Sequence, residues 1–294
     1  MIKDDRTDRM MNGLTPSSRL VELGPSHRPL APKSDGWNTV VVDYASQEFL
    51  IDHYKHENFS AIEPVDVIWS QGRLHEAFPA DKIGSFDAFL SSHSLEHVPD
   101  AVGLLQSIET LLCPTGIARL ALPDKRCCFD FFTGLSSTGD LLSAFANKER
   151  VHNKRTSFDG VAYAVTSDGR LSWSLDEPTL PLALVYDLDF AHAVFERASA
   201  DNTGDYHDFH AWKFTPNSFA LIIEELHHLG IIGLEIAGVS GAVGNEFFVE
   251  LRRVAPGQPA RREDINERRL ALLKATMLDI EEQIRCMSRS APEG

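Results

Sequence analysis

Two histidines and a glutamate lie close together in the segment SSHSLEHVPD, with the spacing H-x-x-E-H. His93, Glu96 and His97 would share one face of a helix if a helix began there. A neutral imidazole accepts a hydroxyl proton near neutral pH, and imidazole and carboxylate groups together bind divalent metals. Three interpretations stay open: His93 or His97 is a catalytic base or contacts a substrate, the motif is structural, or all three residues hold a metal. The metal is the least favoured, so no metal site is predicted.

A second group of polar side chains lies in DYHDFHAW, residues 205–212. Asp205, His207, Asp208 and His210 are residue types that bind metals or hydroxyl groups. We predict that His207 and His210 contact a substrate. The alternative is a polar loop that merely contains histidines.

Five apolar runs in the first half of the chain read as strands: residues 19–23, 38–43, 65–70, 86–92 and 116–122. Between the last two, residues 99–114 have the three- and four-residue apolar spacing of an amphipathic helix. Strands that alternate with helices predict a parallel sheet covered on both faces. Such a sheet binds ligands at the carboxyl ends of its strands. Gly24 follows the first of these runs, Asp43 ends the second, and His93 follows the fourth.

The second half of the chain is organised differently. Residues 124–213 show no clear period and are too long for a simple loop, so we expect an inserted cap there. Residues 215–230 then read as a helix that begins at Thr215 and Pro216 and ends at Gly230. Two closing strands follow over 231–254, as an antiparallel hairpin. The domain would span 17–254, preceded by a flexible tail over 1–16.

The last predicted helix, 261–288, carries apolar residues with heptad spacing. They are Leu270, Leu273, Met277, Ile280, Ile284 and Met287. Two interpretations stay open: the helix forms a homodimer as a coiled coil, or it packs on its own domain.

Composition limits the class of protein. The chain has 294 residues and a formal net charge of −15, which disfavours nucleic acid and anionic membranes as partners. It has no apolar run of membrane-spanning length and no secretory signal pattern, so we expect a cytoplasmic protein. The four cysteines form no CxxC pair, which indicates reduced thiols rather than a zinc site.

Several motifs in order resemble the class I S-adenosylmethionine-dependent methyltransferases. The acidic-x-Gly-x-Gly loop of that family corresponds to Glu22-Leu23-Gly24-Pro25-Ser26, and its ribose-binding acid corresponds to Asp43, 21 residues after Glu22. FDAFLSSHSLEHVPD (86–100) and LLCPTG (111–116) match its fourth and fifth strand regions. GPSHRPLAPKS, LPDKRCCFD and HAWKFTPNSF resemble a subgroup associated with bacterial glycan and natural-product pathways. Ser26 departs from the family, which has glycine at that position.

The resemblance implies an α/β fold: a doubly wound, seven-stranded, mostly parallel sheet with an inserted cap and a C-terminal helix. It implies a set of cofactor-binding residues, namely Glu22, Gly24, Pro25, Ser26, Asp43, Tyr44, Gly72, Leu74, Ser92 and His93. Arg28, Asp124 and Lys125, with His207 and His210, are the predicted substrate residues. The alternative for Arg28 is a surface charge without a role in binding. The alternative for Asp124 and Lys125 is a salt-bridged turn.

The predicted function is methyl transfer from S-adenosylmethionine to a hydroxyl, less favourably an amine, of a small molecule or sugar. His93 and His97 are the predicted catalytic residues. The alternative is an inactive scaffold that keeps the fold and recruits a partner through its C-terminal helix. The sequence does not identify the methyl acceptor, because residues outside the common fold determine specificity.

Overall fold

A seven-stranded sheet forms the centre of the protein in the computed structural model, which describes residues 5–55, 61–177, 181–198, 209–254 and 262–288. Its strands are β1 (Arg19–Leu23), β2 (Asn38–Asp43), β3 (Val67–Ile68), β4 (Phe86–Ser92), β5 (Leu112–Pro123), β8 (Leu234–Val239) and β9 (Glu246–Arg253). The spatial order is β3-β2-β1-β4-β5-β9-β8. The first five strands run parallel, and β9 is antiparallel to both β5 and β8. The predicted seven-stranded, mostly parallel sheet is confirmed.

Eight helices accompany the sheet in the described residues. They are α1 (Asp5–Met11), α2 (Gln47–His53), α3 (Ala101–Leu111), α4 (Thr138–Asn147), α5 (Lys154–Ala162), α6 (Leu188–Arg197), α7 (Pro216–His228) and α8 (Ile265–Ser288). Capping residues fix several of their starts. Asp100 accepts a hydrogen bond from the backbone N–H of Gly103 at the start of α3, and Thr215 accepts one from Ser218 at the start of α7.

Both faces of the sheet are buried, because successive strand residues point to opposite sides. In β1, Val21 packs into the larger core, which α3 and α7 also line. Its neighbour Leu20 packs into a smaller core on the other face, together with Met10 of α1. The sheet is therefore covered by helices on both sides.

The N-terminal segment is more ordered than its sequence predicts. We expected a flexible tail over residues 1–16, but residues 5–11 form α1, and Met10 is buried against the sheet. Arg6 of α1 forms an ion pair with Glu246 at the start of β9. The prediction was wrong for this helix because seven mostly polar residues show no periodic pattern, and tertiary contacts hold them.

The segment between β5 and α7, which we predicted as a cap over 124–213, has structure of its own. It contains α4, α5 and α6 and a separate two-stranded antiparallel sheet of β6 (Val165–Ser167) and β7 (Leu182–Leu184). Its two ends are close together, because β5 and α7 are connected by a backbone hydrogen bond from Lys125 N–H to the Phe214 carbonyl.

Helix α8 packs on α7 through polar side chains rather than through its heptad seam. Arg268 and Arg269 form ion pairs with Glu224 and Glu225 of α7. The seam residues Leu270, Leu273, Met277, Ile284 and Met287 are exposed instead. The helix therefore packs on its own domain, as one of the two interpretations predicted, and the homodimer stays a prediction. No helix in the described part of the chain is long and apolar enough to cross a membrane.

Candidate functional site

The site lies where the strand order reverses, between β1 and β4. Connections from these two strands leave the sheet in opposite directions, which opens a crevice at their carboxyl ends. A cavity of about 300 Å³ occupies this crevice, within the size range of small-molecule sites. Its lining residues include the predicted cofactor residues Glu22, Gly24, Pro25, Ser92 and His93, the predicted substrate residue Arg28, and also Arg6, Leu23 and His27.

The loop after β1 needs glycine at its first position. Gly24 has a φ of +63°, and a Cβ there would come within 2.6 Å of the Ser94 hydroxyl oxygen. The backbone N–H of Gly24 donates to the carbonyl of Val42, which ties the loop to β2. Ser26 also has a positive φ, +47°, which is unusual for a residue with a Cβ. Serine therefore stands at a position where the backbone favours glycine, and where the methyltransferases that the sequence resembles have glycine.

The buried carboxylate of Glu22 binds the backbone at the far end of this loop. Its two carboxylate oxygens accept hydrogen bonds from the backbone N–H groups of Leu30 (2.6 Å) and Ala31 (3.2 Å). The side chain is almost fully buried, and burial raises its pKa to about 7 despite these two hydrogen bonds. Glu22 therefore holds residues 24–31 against β1 and presents a carboxyl group that titrates near neutral pH.

Asp43 ends β2 with one carboxylate oxygen in use and one spare. Its Oδ1 accepts a hydrogen bond from the backbone N–H of Tyr44 (2.8 Å). Its Oδ2 is buried and accepts no hydrogen bond from any described residue. Burial raises the pKa of Asp43, although the nearby N–H groups of Tyr44 and Ser26 oppose this. A buried acceptor without a partner suits a ligand that brings its own donors.

Three other predicted cofactor residues differ in their surroundings. Tyr44 is exposed beside Phe49, and Gly72 has a φ of +77° with open space around it. Leu74 lies in the larger core with no exposed surface. Its side chain therefore packs in the core and does not line the crevice.

Strand β3 contains only Val67 and Ile68, so it is shorter than the predicted 65–70.

His93 connects the cavity to a network of charged groups. Its Nε2 lies 2.8 Å from Oε2 of Glu246, and the same carboxylate binds the Arg6 guanidinium. Burial would raise the pKa of Glu246, but His93 and Arg6 lower it. His93 has a φ of +52° and precedes a short 3₁₀ turn, Leu95–His97, so the predicted helical face is wrong.

The short turn nevertheless brings the H-x-x-E-H residues together, with Glu96 at the centre. His93 Nδ1 lies 3.6 Å and His97 Nε2 lies 3.7 Å from Oε1 of Glu96. His210, from the far end of the inserted segment, places its Nε2 4.0 Å from the same oxygen. Its other ring nitrogen, Nδ1, lies 2.5 Å from Oδ2 of the buried Asp130.

Of the predicted substrate residues, Arg28 is exposed at the rim of the cavity and His210 lies beside Glu96. His207, with Asp205 and Asp208, lies outside the described residues. Asp124 and Lys125 are fully buried, which contradicts their predicted contact with substrate.

Asp124 and Lys125 are used internally instead. Asp124 binds the guanidinium of Arg126, so the salt-bridged turn is correct. Lys125 donates from Nζ to the Phe131 carbonyl and to Gln283 of α8, and burial lowers its pKa to about 8.

Three residues of this site were not predicted from the sequence. Arg6, Glu246 and Asp130 meet His93 and His210 only through the folded chain. A weak signal exists for Asp130, because it ends the motif LPDKRCCFD that resembles the methyltransferase subgroup. Neither Arg6 nor Glu246 belongs to any recognisable motif.

Residues 23–120, about a third of the chain, match the family model described as "Methyltransferase domain". This match covers the glycine loop, Asp43 and the H-x-x-E-H segment. The match and the strand order of the sheet agree with the resemblance to class I S-adenosylmethionine-dependent methyltransferases. A search of curated proteins finds no match.

Solved structures resemble the chain more distantly. A Rhodobacter sphaeroides protein described as a zinc-dependent alcohol dehydrogenase has 13% identity and a TM-score of 0.46, covering 86% of this chain and 91% of its own. A Listeria monocytogenes protein described as an S-adenosylmethionine-dependent methyltransferase has 11% identity and a TM-score of 0.41, covering 84% and 96%. A methyltransferase of the same description from Mesorhizobium loti has 13% identity and a TM-score of 0.40, covering 83% and 95%. Similarities at this level do not indicate the reaction or the acceptor.

Proposed function

We propose that the protein transfers a methyl group from S-adenosylmethionine to a hydroxyl group of a small molecule or sugar, as in glycan or natural-product synthesis. An amine is the less favoured acceptor. The observation that carries the proposal is the position of His93, a carboxylate-bound histidine in the wall of the predicted cofactor cavity. A hydroxyl must lose its proton when it is methylated, and a histidine at this point is suited to accept it.

The residues of the crevice fit the cofactor. Asp43 Oδ2 is a buried acceptor that the ribose hydroxyls would satisfy, and Gly24 leaves room that a Cβ would fill. Arg28 at the rim is suited to pair with the carboxylate of the methionine part. When bound, S-adenosylmethionine supplies a methyl group on a positively charged sulfur. The protein must then position the acceptor and remove one proton.

Glu246 prepares His93 for this role. A carboxylate next to Nε2 keeps the proton on that nitrogen, so Nδ1 carries the lone pair that accepts the acceptor's proton. The resulting imidazolium is stabilised by Glu246 on one side and by Glu96 on the other. His97, the second predicted catalytic residue, lies beside Glu96 rather than in the cavity wall.

The first test is cofactor binding by isothermal titration calorimetry with S-adenosylmethionine and its demethylated product. We expect binding at micromolar concentration, and no binding at about 1 mM would refute the enzyme. The second test is product-cofactor release with a panel of sugars, phenols and amines. His93→Gln should keep binding and lose turnover, with His192→Ala, an exposed histidine of α6, as the matched control.

An inactive scaffold predicts a different result: no turnover with any acceptor and no effect of His93→Gln. Cofactor binding alone would not separate the two functions, because a scaffold can keep the cofactor site. Turnover with any acceptor therefore excludes the scaffold, and His93→Gln then tests whether His93 is the base.

We also propose a homodimer through α8. The polar side of the helix is already occupied by ion pairs with α7, and its heptad seam is exposed. A heptad seam is complementary to a second copy of itself. Light scattering on the whole chain, compared with a variant that combines Leu273→Glu and Met277→Glu, tests this.

A further inference from the structure

Three imidazole nitrogens surround one carboxylate oxygen at the edge of the cofactor cavity. Oε1 of Glu96 lies 3.6 Å from His93 Nδ1, 3.7 Å from His97 Nε2 and 4.0 Å from His210 Nε2. These distances exceed those of N–H···O hydrogen bonds, which are 2.7–3.2 Å. The four groups therefore face one another without bonding directly.

The far sides of two imidazoles show which nitrogens carry protons. His210 Nδ1 lies 2.5 Å from Asp130, and His93 Nε2 lies 2.8 Å from Glu246. A carboxylate keeps the hydrogen on the nitrogen it contacts, and in a neutral imidazole the other nitrogen then carries a lone pair. These other nitrogens are the ones that lie 3.6 Å (His93 Nδ1) and 4.0 Å (His210 Nε2) from Oε1 of Glu96.

Glu96 itself is short of partners. Its side chain has no exposed surface, and neither of its oxygens accepts a hydrogen bond from any residue that the structure describes. Burying a carboxylate without a compensating partner is strongly unfavourable. A buried anion that faces imidazole lone pairs calls for a cation between them.

We infer that Glu96, His97 and His210 bind a divalent transition-metal ion. One ligand atom from each of the three lies within 4.8 Å of the others. Ligand atoms about 2.1 Å from a common ion are separated by roughly 3 to 4 Å, so the cluster needs only a small contraction. Two imidazoles and one carboxylate favour zinc or iron over magnesium or calcium.

The fold holds these three ligands together across 114 residues of sequence. The backbone carbonyl of Glu96 accepts hydrogen bonds from the N–H groups of Ala211 (2.7 Å) and Trp212 (3.1 Å). These bonds fix the residue next to His210 against the turn that carries Glu96 and His97. Asp130 then orients His210, as carboxylates commonly orient metal-binding histidines.

This ligand set differs from the H-x-x-E-H triple in the sequence, because His210 replaces His93. His93 is engaged with Glu246 and lines the cofactor cavity, so it remains the base, and His97 becomes a ligand. Three protein ligands leave coordination positions open, and about a quarter of the His97 side chain is exposed. An acceptor hydroxyl that binds there would lose its proton more readily; this last step rests on the proposed function.

The experiment measures metal binding without cofactor or acceptor. The whole chain, free of any affinity tag, is stripped with a chelator and titrated with Zn²⁺ by calorimetry and with Co²⁺ by visible absorption. We expect one ion per chain and Co²⁺ bands of a low-coordinate nitrogen and oxygen site. Glu96→Gln, His97→Ala and His210→Ala should each weaken Zn²⁺ binding by more than 100-fold, since loss of an outer carboxylate alone costs 10- to 100-fold.

The matched control is His192→Ala, which removes an exposed histidine and should leave Zn²⁺ affinity unchanged. Circular dichroism and binding of the demethylated cofactor show whether each variant is folded. Absence of stoichiometric Zn²⁺ binding by the wild-type chain would overturn the inference. Unchanged affinity in a folded Glu96→Gln variant would overturn it as well. Neither result depends on methyl transfer, so failure of the metal site and failure of the proposed function are distinguishable.

Discussion

Replacing Asp43 with asparagine should change cofactor affinity and the stability of the cofactor-free protein in opposite directions. The carboxylate and the amide have nearly the same shape, so the change removes charge and one acceptor with little loss of packing. In the cofactor complex it removes one charge-assisted hydrogen bond. Such a bond contributes about 1.5–3 kcal/mol, so affinity for the demethylated cofactor should fall by roughly 10- to 150-fold.

Without cofactor, the same substitution should raise stability. Asp43 is buried, its Oδ2 lacks a described partner, and its pKa is raised. Between its unfolded and its folded pKa the native state binds more protons than the unfolded state, so stability falls as pH rises through that interval. Asp43→Asn removes this loss of stability, because asparagine does not titrate. The variant should therefore be more stable than wild type at neutral pH, and the difference should disappear in acid, below the pKa of about 3.9 of an exposed aspartate.

The assay combines calorimetry with the demethylated cofactor and urea unfolding of the cofactor-free protein at several pH values. Asp35→Asn, the same chemical change at an exposed aspartate, is the control and should affect neither quantity. Unchanged cofactor affinity in Asp43→Asn would show that another acid binds the ribose. Lower stability at neutral pH would show that the buried charge is compensated.

Three further predictions concern the glycine loop and the last helix. The wild-type protein should lose ~3 kcal/mol of stability as pH rises from about 4.5 to 7, because the pKa of Glu22 is raised to about 7 in the folded state. Glu22→Gln should abolish this loss. A difference from wild type in urea unfolding that does not depend on pH would contradict this. Ser26→Gly should leave stability unchanged or raise it by up to ~1 kcal/mol, because relief of the left-handed conformation offsets the greater freedom of glycine when unfolded; a larger destabilisation would mean that the Ser26 side chain is needed. Leu273→Glu combined with Met277→Glu should convert a dimer to a monomer by light scattering, whereas Lys274→Glu on the same helix should not; a monomeric wild-type chain would refute the dimer.

The sequence predicted the sheet well where hydrophobic runs are clear. The predicted bounds of β1, β2 and β4 match the structure, because each is an apolar run bounded by turn residues. Strand β3 was predicted too long, since VDVIWS is apolar enough to form a strand but only Val67 and Ile68 pair with β2. Local patterns therefore predicted where the strands lie, whereas tertiary contacts determine how many residues of each strand pair.

The site was predicted less completely, and the reason is chain distance. Gly24 and Asp43 were predicted from the methyltransferase resemblance and from their positions at the ligand-binding edge, where Gly24 follows β1 and Asp43 ends β2. His93 and Glu246 are 153 residues apart, and no spacing rule connects them. Conversely, Asp124 and Lys125 follow a strand at that same edge, but Arg126 and Gln283 bury them. A residue's position at the end of a strand predicts which edge of the sheet it occupies. It does not predict whether a helix distant in the sequence, such as α8, buries that residue.

The ion pair between Arg6 and Glu246 has a consequence for how the protein can be divided. It joins residues 240 positions apart, and Arg6, which Glu246 binds, forms part of the cavity wall together with Gly24. The stretch that matches the methyltransferase family, residues 23–120, contains neither partner. An excised fragment of that stretch would lack this wall, so it should bind cofactor poorly even if its strands formed. The cavity is completed only when both ends of the sheet-forming chain have come together, and cofactor binding therefore reports on the whole fold rather than on one module.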